Sequence, residues 1–525
     1  MAVDSAPNAE RTVNVVRRGV EAVKGQSVRV FSGIEIGKGE NFPFREYTPG
    51  SDATPAFSLV ISDQDNPQAP FLLRSPSIHH GRSSEVVTTT KPDNPLLLWA
   101  NKEGILFGAV NIKGNNLLDP KVELDHHFVS GFRIFGLQAD GTLAHVLKTS
   151  QMFSDLGIEA ESIVRVIKPE ELIIDGKRCN IEQFKQYLYD KAVKEAEDPP
   201  RKGIMDRRTS PAKEDLGKIK QYLDKADLYF TVRGLQVQER PKDLLEVQDK
   251  QSFEKMMGRA FKFINAREKM EAVREGRAPR ILDAQNETDL MFYFEEYLPK
   301  RLAKNVAKMH NAGLAHGFLT SHNVSLAGSI YDVDSVSQVA DSGAEIKQDF
   351  ADFCRSMANV FFPQQTPGGE RSSYLRSTLG PRAAQAFFRN FTKVYLETRN
   401  IDLKTNQNME RYKKETYEPS LIEFERLKSQ PGQFKELLKI LPSLGEINRS
   451  AIEDYVISPL RNRLKANVIF YQGSYSGFGG QELIIGKGIS EGIEEAIKIF
   501  IKPENVQAIE EMNGKMLDIA RSSAA

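Results

Sequence analysis

Two kinds of hydrophobic spacing divide this chain, and the division limits the folds open to it. From about residue 27 to 112 the text reads SVRVF, AFSLVIS, PFLLR, EVVTTT, LLLWA and ILFGAVNI. These are short β-branched or aromatic runs separated by Pro, Gly, Asn and Asp, the pattern of an antiparallel sheet. After Asp140 and Gly141, apolar residues at 143, 146, 147, 152, 153 and 156 follow helical spacing up to Gly157, so one helix is expected beside the sheet. Strand character resumes in SIVRVI, ELIID and LYFTVR, interrupted by a charged helix over 181–197 and the polar stretch DPPRKGIMDRRTSPAKEDLG, which reads as a mobile insertion. Beyond Arg240 the spacing predicts helices over 251–274, 287–312, 346–361, 381–398, 419–438 and 490–501. The expected fold is therefore α+β. It has a β-rich N-terminal lobe (1–245) with a charged insertion near 180–225, a helical C-terminal lobe (246–525), and a ligand cleft between them.

The chain has 525 residues, with 71 Lys and Arg against 71 Asp and Glu. Its length allows two to four domains. A balanced charge excludes a nucleic-acid coat or a polybasic membrane anchor, since both need surplus cations to displace counterions. Two cysteines, Cys179 and Cys354, lie far apart and outside any paired-thiol motif, which excludes a disulfide framework and a thiolate zinc site. The adjacent pairs His79-His80 and His126-His127 do not have the spacing of metal ligands. Residues 1–26 carry charges throughout and lack the apolar centre of a signal peptide. No apolar run reaches the ~18 residues that a membrane span needs. A cytoplasmic protein without a membrane span is expected.

The segment 302–336 is the most informative. A helix ending in KMHNAG leads to LAHGFLTSHNV, then SLAG, then SIYDVDSV. The order is helix, loop, short hairpin and acidic turn. In kinases this order delivers a base-bearing loop with a metal-binding Asn, then a metal-binding Asp after a strand. Magnesium beside ATP phosphates needs hard oxygen ligands, and an amide with a carboxylate supplies them while leaving positions for phosphate and water. Asn323 and Asp332 are the candidates, nine positions apart. If the segment is extended, Asp334 points to the opposite side, so only one of the two aspartates faces the metal. The usual base Asp is replaced, because His316 and Gly317 are followed by Phe318.

At this point the chain resembles the selenoprotein O family, whose members have a kinase-like fold without that Asp and transfer AMP from ATP to protein hydroxyls. Further motifs carry the resemblance. NIKGNN, with Lys113, Gly114, Asn115 and Asn116, resembles the family's strand Lys and its small polar followers. Asp155-Leu156-Gly157-Ile158 resembles the end of its next helix. Arg233 and Arg240 in TVRGLQVQER have the spacing of two family arginines that hold the phosphates of a flipped nucleotide. The resemblance covers about residues 105–365. It implies a two-lobed protein-kinase-like fold, with Lys113, Gly114, Arg233 and Arg240 on the nucleotide and Asn323 and Asp332 on magnesium or manganese. His322 stands where the family has Asp before the metal-binding Asn. The helix that should supply an acidic partner for Lys113, TLAHVLKTSQMFSDLG, contains no Glu.

Each residue also has a plainer reading. Lys113 can be a solvated strand lysine, and Arg233 and Arg240 can form surface pairs with Glu239 or Asp243. His316 is expected to prop its loop. His322 can be a general base, since neutral imidazole accepts a proton near pH 7, or an ordinary loop residue. GIEIGKG over 33–39 lacks the Ser or Thr of a Walker loop and reads as a turn. GSYSGFGGQ over 473–481 reads as a flexible loop. The expected function is ATP- and magnesium-dependent adenylyl transfer to a hydroxyl acceptor, on protein or a small molecule. Alternatives are a nucleotide-binding pseudokinase scaffold and γ-phosphate transfer.

Overall fold

The computed structural model describes residues 28–38, 56–57, 71–74, 83–88, 99–100, 104–113, 124–125, 133–134, 138–174, 177–197, 215–340, 343–362, 364–366, 369–371, 373–399, 405–430, 449–468 and 481–522. Gly114, Asn115 and Asn116 lie outside them, as do His79, His80, His126, His127, residues 473–480 and the stretch 198–214. The fold is α+β, mostly helical with one principal antiparallel sheet. No helix among the described residues is long and apolar enough to cross a membrane. Two compact units are distinguishable. The first comprises residues up to Leu290 with Ser321–Ser337 and Ser373–Leu375; the second holds Met291–Thr320, Gln338–Ser372 and Arg376–Ala525.

The first unit is built on a nine-stranded sheet. Its strands are β1 (Val28–Lys38), β2 (Ala56–Phe57), β3 (Phe71–Arg74), β4 (Ser83–Thr88), β5 (Ala109–Lys113), β6 (Gln138–Ala139), β7 (Ser162–Ile174), β8 (Lys177–Asn180) and β9 (Leu228–Leu235). The order is β2-β1-β7-β9-β5-β4-β3, with β6 paired to β9 and β8 to β7. Strand β1 runs through GIEIGK, where a turn is expected from the sequence. The glycines do not break pairing. Register shifts against β7 fall between Val30 and Ser32, at Gly33 and before Gly37; at the two glycines the missing side chain lets the backbone bulge without leaving the ladder.

Helix α1 (Asp140–Asp155) packs on this sheet through Leu143, Val146 and Phe153, while Leu147 and Leu156 face solvent. It ends at Gly157, whose φ of 61° is left-handed. Ile158 N–H there reaches back to Phe153 O at 2.8 Å, closing the orphaned carbonyls of the last turn. The charged helix α2 spans Ile181–Glu197, matching the range read from the sequence, and α3 follows at Leu216–Lys225. Helix α4 (Lys250–Glu275) starts where the Asp249 carboxylate accepts Ser252 N–H at 2.8 Å and stops at left-handed Gly276.

The second unit is helical. Helix α5 (Leu298–Asn311) follows a π-helical turn at Tyr293–Tyr297. Helices α6 (Ala344–Phe361) and α7 (Gly380–Arg399) share an aromatic core in which Phe353 lies 4.5 Å from Phe391 and Phe350 lies 5.2 Å from Tyr395, between ring centroids. The thiol of Cys354 on α6 is buried, and burial pushes its pKa up. Helix α8 (Gln481–Phe500) approaches α7 so closely that a Cβ on Gly492 would stand 2.5 Å from Arg389 O, and one on Gly488 2.5 Å from Gln385 O. These glycines are there for the close contact, which overrides their poor helix propensity.

Candidate functional site

The site forms on one face of the sheet in the first unit. Register puts Lys113 opposite Thr231, Asn111 opposite Arg233 and Ala109 opposite Leu235. Side chains directly opposite share a face, and alternation carries that face along each strand. The segment 331–334 covers it. Tyr331 packs on Ala109 and Leu235, and the aspartates that follow reach Lys113.

A hairpin brings that segment into place. Val324 bridges Ile330, Ser325 N–H donates to Ser329 O at 2.9 Å, and the two serine hydroxyls meet at 2.7 Å. One step further out, Tyr331 N–H donates to Asn323 O at 2.8 Å. Asn323 and Asp332 therefore flank the open end of one tight hairpin. Arg267 on α4, buried, donates to Ala327 O at 2.7 Å at the hairpin tip, and also to Glu159 and Gln236. Glu161 N–H donates to Ile330 O, tying the hairpin to the start of β7.

Asp332 has φ 62° and ψ 49°, the only non-glycine with positive φ among the described residues. This left-handed residue is strained. It turns the chain into a 3-10 turn at Val333–Ser335, and the turn corrects the expectation that Asp334 points away. Lys113 Nζ donates to Asp332 Oδ1 at 2.5 Å and to Asp334 Oδ2 at 3.3 Å, so both carboxylates face it. Asp332 is 29 % exposed and Asp334 3 %. Burial on its own would lower the Lys113 pKa, but Asp332 and then Asp334 outweigh it and hold the ammonium above its ordinary value. Burial likewise works against an ionised Asp332, yet Lys113, with Arg240 and Arg233 behind it, holds the carboxyl well below the usual range.

Neither arginine is a surface residue. Arg233 is 2 % exposed. Its Nη1 donates to Glu161 Oε2 at 2.7 Å, and its Nε and Nη2 donate to Asn111 Oδ1 at 3.0 and 2.5 Å. The other oxygen of Glu161 accepts Val333 N–H at 3.4 Å, so one carboxylate links Arg233 to the turn between the two aspartates. Arg240 lies 5.2 Å from the centroid of the Tyr331 ring and donates to the backbone carbonyl of His322. Its own N–H is capped by Asp243 Oδ2 at 2.9 Å. Burial, then the charge of Arg233, lowers its pKa. Glu239 pairs with Arg259 instead. The Tyr331 hydroxyl donates to Val237 O, and burial pushes its pKa up.

No protein-family model and no curated protein sequence matches this chain. The geometry has to carry the argument. It brings together Lys113, Arg233, Arg240 and Asp332, with Asn323 and the His322 backbone at the other side of the hairpin; Gly114 lies outside the described residues. Sequence reasoning missed Glu161 and Asn111, and it set Asp334 aside in favour of Asp332. Glu161 stands two residues before Ile163, which register places opposite Arg233, so the pairing follows from strand register and has no signal in the sequence alone.

The loop before the hairpin belongs to the second unit. There the Asp349 carboxylate accepts Gly317 N–H at 2.8 Å and His316 N–H, while His316 Nδ1 accepts Phe318 N–H at 3.3 Å. His310 connects to the same carboxylate at 3.5 Å and to Tyr395 Oη at 2.8 Å.

Among the described residues no group of three or more His, Cys, Asp or Glu side chains is placed to hold a metal ion. The donors present still fit magnesium, which binds through one or two carboxylates and takes its remaining ligands from phosphate and water. Asp332 and Asp334 supply hard oxygens on adjacent sides of one ammonium group.

Proposed function

We propose that this protein has a kinase-like fold, binds ATP with magnesium or manganese at the Lys113 face, and transfers the adenylyl group to a hydroxyl, on protein or a small molecule. The observation that carries the reading is the Lys113 ammonium set between Asp332 and Asp334 at the mouth of the hairpin that begins at Asn323. A cation flanked by carboxylates is the arrangement that a metal–phosphate pair can enter, with the metal's charge taken by the acids and the phosphate's by the lysine. The choice of adenylyl transfer rests on the resemblance to selenoprotein O and on Phe318 in place of a base Asp.

In this reading Asp332, Asp334 and the Asn323 amide would hold the metal, which would supply neutralisation of phosphate charge. Lys113 and Arg240 meet phosphate oxygens. Arg233 acts from behind, because its donors are already committed to Glu161 and Asn111; it adds positive field and fixes Glu161 against the aspartate turn. The acceptor oxygen bonds to the α-phosphorus, the bond to the α–β bridging oxygen breaks, pyrophosphate leaves, and the hydroxyl proton passes to the His322 imidazole.

One observation favours a second reading. Lys113 is neutralised by two carboxylates of its own chain, which suits a scaffold that never turns ATP over. Incubation of the purified chain with ATP labelled separately at the α and γ phosphorus, with magnesium or manganese, decides. Transfer of α label supports adenylylation, transfer of γ label makes the protein a kinase, and no transfer leaves the scaffold.

A further inference from the structure

Two buried polar atoms on the Lys113 face are not used by anything above. Thr231 is fully buried and its Oγ1 has no hydrogen-bond partner; Gln138 is 3 % exposed and its Oε1 has none either. Their placement follows from register. Thr231 is directly opposite Lys113, and Gln138 is opposite Tyr229, two residues before Thr231 on β9. Strand β6 thus continues the ladder beyond Lys113, and Lys113, Thr231 and Gln138 lie side by side on one face of the sheet. An unpaired polar group in the interior destabilises the fold, and two together beside a charge cluster need a reason.

We propose that Thr231 and Gln138 contact the sugar of the nucleotide whose phosphates Lys113 meets. The inference rests on the nucleotide reading above. The Gln138 oxygen only accepts a hydrogen bond, and the Thr231 hydroxyl both donates and accepts. A phosphate oxygen only accepts, so it cannot satisfy Gln138 Oε1. A ligand hydroxyl does both and satisfies the pair. On a nucleoside triphosphate the hydroxyls nearest the phosphates are those of the ribose, and Gln138 and Thr231 stand one ladder step from the residue that takes the phosphate. The pair therefore sets a preference for ribose over deoxyribose.

Calorimetric titration of the full chain with magnesium ATP, magnesium 2′-deoxy-ATP, magnesium 3′-deoxy-ATP and magnesium tripolyphosphate tests this, using wild type, Thr231→Val and Gln138→Met. Wild type should prefer ATP to at least one deoxy analogue by about tenfold, the worth of one hydrogen bond. Each variant should lose about that factor for ATP, no longer separate ATP from that analogue, and bind tripolyphosphate as wild type does. The ligand-free melting temperature of Thr231→Val should not fall, because the variant removes a hydroxyl that bonds to nothing. Unchanged ATP affinity in both variants overturns the proposal, and so does equal loss for ATP and tripolyphosphate. A lowered ligand-free melting temperature with unchanged ATP affinity also overturns it, assigning the hydroxyl to an internal water. Wild type that binds tripolyphosphate and ATP alike refutes the sugar contact alone, whereas wild type that binds neither refutes the nucleotide reading from which it starts.

Discussion

Around His310, both oxygens of Asp349 are spent: Oδ1 accepts Gly317 N–H, and Oδ2 accepts His316 N–H and faces the His310 ring, whose other nitrogen meets Tyr395. Around Lys113, two aspartates share one ammonium, Asp332 keeps 29 % of its side chain exposed, and Thr231 Oγ1 and Gln138 Oε1 are left without partners. Both are buried polar networks built on carboxylates. The first is closed, with its donors matched by acceptors of the same unit, and its product is a fixed loop. The second combines full charges, a strained left-handed Asp332 and unmet hydrogen-bonding capacity, which costs stability unless something else completes it. A network that is finished points to architecture; one that is unfinished points to a ligand.

The largest expected effect tests the unfinished network. Asp332→Ala should lower transfer by about 10³-fold or more, the scale of removing one electrostatic contact to the reacting phosphates. Thermal stability without ligand should fall only by the small cost of alanine in left-handed backbone, because Asp334 still faces Lys113, and the melting shift caused by magnesium ATP should vanish. For wild type that shift corresponds to ~2.7 kcal/mol at 100 times the dissociation constant. Full transfer in the variant removes Asp332 from the site. A large loss of ligand-free stability breaks the comparison itself, since it makes the Lys113 cluster as structural as the other one.

The finished network is tested by Asp349→Ala. The buried His316 N–H and the part-exposed Gly317 N–H lose their acceptor, and the urea midpoint followed by circular dichroism should fall by an amount equivalent to about 2 kcal/mol. A midpoint equal to wild type means the loop is held otherwise. Gly492→Ala supplies a charge-free yardstick in the same unit. Its added methyl meets Arg389 O at 2.5 Å and Thr392 Cβ at 2.8 Å, so a loss of about 1–3 kcal/mol is expected from overpacking. Alanine at wild-type stability at this position shows that α7 and α8 can separate at no cost.

What could be read from the sequence was local. Helix Ile181–Glu197 follows from its own spacing, and the hairpin between Asn323 and Asp332 from turn residues and a nine-residue interval. Asp334 was misread because the alternation rule assumes an extended chain, and one left-handed residue, Asp332, cancels that assumption. The pairing of Arg233 with Glu161 depends on the register of strands about 70 residues apart in the chain, which no single strand encodes. Helix α8 starts at Gln481 rather than near 490 because Gly488 and Gly492 weaken the helical signal in isolation, and only the partner helix α7 shows what they are for. Asp349 lies within a helix expected over 346–361, but a carboxylate in an amphipathic pattern reads as solvated until its backbone partners are seen.

The smallest effect concerns pH and tests the finished network. Burial, which opposes the charged form, lowers the His310 pKa below its ordinary 6.5; the hydrogen bond and charge of Asp349 pull it up, and the charges of Arg399 and His316 pull it down again. The unfolded chain therefore takes up a proton on this histidine more readily than the folded one. Its contribution to stability is complete above about pH 6.5 and is lost as pH falls from there through the lowered folded value, with a slope of at most ~1.4 kcal/mol per pH unit. His310→Asn, which cannot titrate, should be less stable at pH 8 because the Tyr395 and Asp349 contacts are weakened, yet should lose less on going from pH 7 to pH 5.5. Urea midpoints for both proteins at several pH values measure the difference. Parallel curves for wild type and variant mean that His310 takes up its proton as easily folded as unfolded, and the network around Asp349 is then less closed than its hydrogen bonds imply.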